Sequence, residues 1–131
     1  GSTTYMDEVD MVVPRSRVNE MVTYLHDLHN EIDIRIKSFG HAGDGNLHIY
    51  ACANDMDEAE FKKQVADFMD IIYKKAAECG GLISGEHGIG YGKMDYLAAF
   101  AGETSMRLMK GIKEVFDPKM ILNPGKICYK L

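Results

Sequence analysis

HAGDGNLH, residues His41 to His48, lies between two runs that alternate apolar and polar side chains. Before it, Ile34 and Ile36 alternate with Arg35 and Lys37; after it, Leu47, Ile49 and Ala51 alternate with His48, Tyr50 and Cys52. Period-two patterns flanking an Asp-Gly pair predict two antiparallel strands joined by a hairpin, because a type I′ turn needs positive φ at both central residues. With Asp44-Gly45 as a two-residue loop, His41 is expected directly opposite His48. Opposed residues on one face hold their Cβ atoms about 4.5–5.5 Å apart, close enough for two imidazoles to share a cation. The same register puts Ile34, Ile36, Leu47 and Ile49 on one face of the sheet. Arg35, Lys37, Phe39, His41, His48 and Tyr50 fall on the other, which is cationic, aromatic and rich in metal-binding groups.

Working outward from the hairpin, Met11-Val12-Val13 reads as a strand ending at Pro14, and Ser16 as the cap of a helix. That helix carries Val18, Met21, Val22, Leu25 and Leu28 at helical spacing. His26 and His29 sit three apart on it with no carboxylate spacing to complete a site, and read as solvent-facing. A second helix is expected from about Met56 to Cys79, with Phe61, Val65, Phe68, Met69 and Ile72 inside and Gly80-Gly81 as its stop. Leu82-Ile83-Ser84 is short enough to be a fourth strand. Two helical stretches follow, Met94 to Phe100 and about Thr104 to Phe116, the latter with Leu108, Met109, Ile112 and Val115 expected inside. The order β-α-β-β-α-β predicts an α+β fold: a ferredoxin-like split β-α-β antiparallel sheet with helices on one face, plus C-terminal helices.

Composition narrows the function classes. A chain of 131 residues, 46% apolar and 27% charged, is expected to form a single domain over 1–131. Its net charge of −5 argues against nonspecific binding to nucleic acid or anionic membranes. No apolar run approaches the roughly 18 residues of a membrane span. Cys52, Cys79 and Cys128 are an odd count without a CxxC pair, which predicts reduced packing thiols in a cytoplasmic protein.

A second glycine cluster, Gly85-Glu86-His87-Gly88-Ile89-Gly90, sets an acid beside an imidazole in permissive backbone. It matches neither a dinucleotide fingerprint nor a Walker loop, because Gly92-Lys93 is followed by Met94. Glu86 can instead join His41 and His48 as a two-His-one-carboxylate set with open positions. Such a set suits zinc, manganese or iron, and the spacing does not choose among them.

Three motifs in order, HAGDGNLH (41–48), GEHGIG (85–90) and ILNPGK (121–126), together with VVPRSR (12–17), resemble the C-terminal domain of FAD-linked 2-hydroxy-acid oxidoreductases. That family includes the flavin-carrying chain of glycolate oxidase, D-lactate dehydrogenases and D-2-hydroxyglutarate dehydrogenase. The resemblance implies that His41, His48 and Glu86 are divalent-metal ligands, that His87 is the catalytic base, and that Asn123 lies close to the flavin. Tyr50 stands where the hydroxyglutarate enzymes carry a substrate-binding asparagine, a departure that leaves lactate- or glycolate-like acids open. The resemblance further implies a C-terminal substrate or cap domain whose FAD-binding domain lies outside this chain.

The implied enzyme oxidises a 2-hydroxy acid to the 2-keto acid. A cation acidifies the hydroxyl, an imidazole takes its proton, and Arg35 or Lys37 pairs with the substrate carboxylate. Its expected partners are its own N-terminal FAD-binding domain and an electron-transfer subunit, either an iron–sulfur protein or an electron-transfer flavoprotein. That subunit can hold it at the membrane periphery. The chain alone is expected to bind no FAD and to be catalytically silent. Two other readings compete: a free-standing metal-dependent hydrolase using the same ligands, and a ferredoxin-like interaction module without redox activity.

Overall fold

Three strands form the sheet: β1 (Tyr5–Val12), β2 (Arg35–His41) and β3 (Asn46–Ala53), in the order β1-β3-β2 and antiparallel throughout. The structure is a computed structural model that describes residues 5–128. Two compact units divide after Glu86.

In the first unit, α1 (Val18–His29) and α2 (Glu58–Glu78) supply apolar faces to the sheet. Val9, Met11, Leu47, Ile49 and Ala51 share one side of the pleat and are buried, as are Met21, Leu25, Phe61, Val65, Phe68 and Ile72 of the helices. Each large aliphatic or aromatic side chain so buried contributes about 1.5–3 kcal/mol. Asp57 caps α2 by accepting from the Ala59 and Glu60 amides at 3.0 and 3.4 Å. Ser16 does not cap α1. It lies in a 3-10 turn, Arg15–Arg17, where the Arg17 amide bonds to the Pro14 carbonyl at 2.7 Å and the helix begins without a side-chain cap.

The hairpin differs from its expected register. Phe39, not His41, stands opposite His48, and His41 pairs with Asn46. A type I′ turn needs two residues at positive φ, and here only Gly45 (φ 82°) adopts it. The chain makes a four-residue loop instead: the Asp44 and Gly45 amides both donate to the His41 carbonyl, at 3.1 and 3.0 Å, and Asp44 Oδ1 accepts from the Asn46 amide at 3.0 Å. The displacement is even, so every side chain keeps its predicted face.

The fourth strand is reduced to one bridge, Val12 with Leu82, on the far side of β1 from β3. Beyond it the backbone leaves the sheet edge, because the Gly85 and Glu86 amides bond to the carboxylate of Asp10. The neighbour order and antiparallel sense remain those of the split β-α-β plan. The cysteines are buried free thiols, as expected.

The second unit holds α3 (Met94–Phe116), broken at Gly102 (φ 72°), where the sequence separates two helical stretches. At its end Asp117 accepts from Lys113 Nζ at 2.6 Å and from the Ile121 and Leu122 amides at 3.2 and 2.9 Å. The Lys113 ammonium, together with those amides, holds the Asp117 carboxyl below its usual range. The expected interior position of Leu108, Ile112 and Val115 is corrected: they are 64%, 61% and 76% exposed. A helical apolar stripe marks a face that can be covered, and among the described residues of this unit nothing covers it. Ile112, Phe116, Leu122 and Ile127 line an apolar groove of about 580 Å³ there. Among the described residues no helix is long and apolar enough to cross a membrane.

Candidate functional site

The sheet face away from α1 and α2 is a grid of polar side chains in three columns. Reading from β1 through β3 to β2, its rows are Asp10–His48–Phe39, Glu8–Tyr50–Lys37 and Val12–Asn46–His41. Glu8 and Asp10 were not anticipated, since the first strand was expected only from Met11. The signal was present: Val9, Met11 and Val13 alternate with Glu8, Asp10 and Val12, so the strand pattern begins earlier and sends two carboxylates to the polar face.

His48 is the centre of this face. Its side chain is only 10% exposed, and a carboxylate faces each ring nitrogen: Glu8 Oε1 at 3.0 Å from Nδ1, and Glu86 Oε1 at 3.1 Å from Nε2. Two acceptors satisfy a ring protonated at both nitrogens, or one protonated at Nδ1 with a cation at Nε2. The Phe39 ring stacks on His48 at 5.7 Å and on Tyr50 at 5.2 Å. Burial, and then the hydrogen bond to Glu8, pushes the Tyr50 phenol up from its usual value.

Glu86 is positioned from beneath by Asp10. That carboxylate is fully buried, and its Oδ2 accepts from Ser84 Oγ and from the Gly85 and Glu86 amides, each at 2.9 Å. Gly85 is required by the close approach: a Cβ there would run into the Asn46 side chain and stand 2.8 Å from Asp10 Oδ1.

The other predicted residues fall as follows. His41 is exposed at the end of β2, on the His48 face but diagonal to it, which corresponds to about 7–8 Å between Cα atoms. Arg35 and Lys37 lie on the same face of β2 and are exposed. His87 is exposed and opens the second unit. Asn123, also in that unit, is exposed at φ 46° in the ILNPGK turn, where its Oδ1 accepts from Lys126 Nζ at 3.5 Å. Of the two histidines set aside, His26 faces solvent, while His29 Nδ1 accepts the Ile36 amide at 3.2 Å and ties α1 to β2.

The donor set on the polar face fits a divalent ion. Ligand bonds of about 2.0–2.2 Å put neighbouring donors roughly 2.8–3.6 Å apart, from octahedral to tetrahedral geometry, and His48 Nε2 and Glu86 Oε1 are 3.1 Å apart. Imidazole nitrogen and carboxylate oxygen are ligands that zinc, manganese and iron accept.

A family model described as FAD linked oxidases, C-terminal domain, matches residues 1–127. A D-lactate dehydrogenase of Anaerostipes hadrus is 67% identical over 129 residues, which are 98% of this chain and 27% of that protein. The glycolate oxidase subunit GlcD of Bacillus subtilis is 43% identical over 92% of this chain and 26% of its own length. A D-2-hydroxyglutarate dehydrogenase of Stutzerimonas stutzeri is 43% identical over 72% of this chain and 21% of its own length. The chain spans about a quarter of the length of the relatives it matches.

Proposed function

We propose, because the chain belongs to the FAD-linked oxidases as their C-terminal domain, that it is the substrate-handling domain of a flavoenzyme that oxidises a small 2-hydroxy acid of the D-lactate or glycolate type. The observation that carries this reading is the buried imidazole of His48 held against Glu86 on the polar sheet face. A site of that kind, in a chain this similar to D-lactate and glycolate enzymes, supports hydroxyl chemistry.

When bound, FAD supplies the acceptor for the hydride, and a divalent cation supplies the positive charge that lowers the hydroxyl pKa. His48 Nε2 and Glu86 Oε1 are the atoms that would hold the cation, with His41 as the third ligand. A ring nitrogen of His87 takes the hydroxyl proton while the α-carbon gives up its hydrogen as hydride, leaving the 2-keto acid. Lys37 or Arg35, on the same face as His48, pairs with the substrate carboxylate. Tyr50 narrows the site beside them and favours a short acid over hydroxyglutarate.

FAD itself is held mainly by the N-terminal domain of the enzyme, with Asn123 close to the flavin. The apolar face around Ile112 and Phe116 is read as the surface that domain covers. An iron–sulfur protein or an electron-transfer flavoprotein would be the partner that takes the electrons, and the enzyme is proposed to be cytoplasmic, with that partner able to hold it at the membrane periphery.

Anaerobic mixing of the full-length flavoenzyme with D-lactate, glycolate and D-2-hydroxyglutarate tests this. D-lactate or glycolate is expected to bleach the flavin absorbance, and D-2-hydroxyglutarate to do so more slowly. A flavin that no 2-hydroxy acid bleaches would overturn the proposal.

A further inference from the structure

We infer that Glu8 is a positioning residue for this site, fixing the tautomer and orientation of His48 so that its Nε2 is presented to the cation that Glu86 would share. Glu8 lies on β1 opposite Tyr50, one step along the strand pair from the Asp10–His48 row, so its side chain shares the polar face. Its Oε1 is 3.0 Å from His48 Nδ1, and the pair is well shielded, at 10% side-chain exposure for His48 and 29% for Glu8.

An ionised carboxylate can only accept, and one faces each ring nitrogen, so with a cation at Nε2 the ring proton belongs on Nδ1, against Glu8. A carboxylate behind a ligating histidine also raises its basicity and resists rotation of the ring. Phe39 stacked on one face of the imidazole limits the same rotation. Glu8 therefore acts through His48 and needs no contact with the substrate.

This inference rests on the reading that His48 and Glu86 hold a cation, and two separate readouts keep the two apart. The first is the ring tautomer of His48 in the metal-free 131-residue chain carrying Glu86→Ala, which removes the Glu86 carboxylate from Nε2, read from ¹⁵N shifts of the neutral ring. That chain is expected to show the Nδ1–H form, addition of Glu8→Ala to move it to Nε2–H, and Glu8→Gln, whose amide oxygen still accepts, to restore Nδ1–H. The second is zinc affinity by calorimetry, expected to fall about 10–100-fold in Glu8→Ala and less in Glu8→Gln.

An Nε2–H ring in the chain carrying Glu86→Ala alone, or an unchanged tautomer on adding Glu8→Ala, overturns the role of Glu8. A tautomer that switches there, with no zinc taken up by the unsubstituted chain, supports the role of Glu8 and sinks the cation reading instead.

Discussion

His87→Ala in the full-length enzyme is expected to cut turnover about 10²–10⁴-fold while leaving bound metal in place, because general-base assistance is worth that much in the chemical step. At 1.36 kcal/mol per decade, the loss corresponds to about 3–5 kcal/mol of transition-state stabilisation. Glu86→Ala is expected to behave differently. Its carboxylate stands 3.1 Å from His48 Nε2, so removing it takes a ligand from the cation and lowers metal content and turnover together. Adjacent residues of an extended chain point opposite ways, and the glycines on either side of this pair are what let both serve one reaction. Metal analysis and hydroxy-acid-dependent dye reduction on the two variants separate the roles. Metal lost from His87→Ala but retained by Glu86→Ala would mean that ligand and base are exchanged.

Asp10→Ala is expected to destabilise the protein by about 3 kcal/mol or more. Three donors converge on Asp10 Oδ2 at 2.9 Å, and Asp10 itself has no solvent exposure. A hydrogen bond to a charged group contributes about 1.5–3 kcal/mol, and deleting Asp10 removes the acceptor that three donors share. A loss of this size is a large fraction of the 5–15 kcal/mol typical of a whole domain. Function falls with stability, because the Glu86 amide is one of the three donors and the loop that presents its carboxylate is released. Urea unfolding at constant m-value measures the first effect, and zinc affinity at a temperature where the variant is folded measures the second. A stability change below about 1 kcal/mol would show that the loop holds its place without Asp10.

Much of this site was legible in the sequence because side-chain parity survives errors of register. The alternation around HAGDGNLH placed His48, Tyr50, Phe39 and Lys37 on one face, and they share that face although the hairpin is two residues out of the expected register. The register itself was not legible, since it depends on whether Asp44 adopts positive φ, which an Asp-Gly pair permits but does not force. Glu8 and Asp10 were missed for a different reason. A strand edged with acids looks polar until its partner β3 is known, and Val9 and Met11 alone are a weak signal. Periodicity also found the apolar stripe of α3, yet it reports which residues share a face and not whether that face is covered. Leu108 and Val115 are exposed for that reason.

The most direct test of the site is the rate of flavin reduction by D-lactate or glycolate in the full-length enzyme carrying His48→Ala, followed anaerobically by stopped flow. The structure sets His48 between two carboxylates on the polar sheet face. The expected result is a variant that retains FAD, is bleached by dithionite, and shows no bleaching by the hydroxy acid on the timescale of the parent enzyme. Flavin reduction at the parent rate would contradict this and remove His48 from the chemistry.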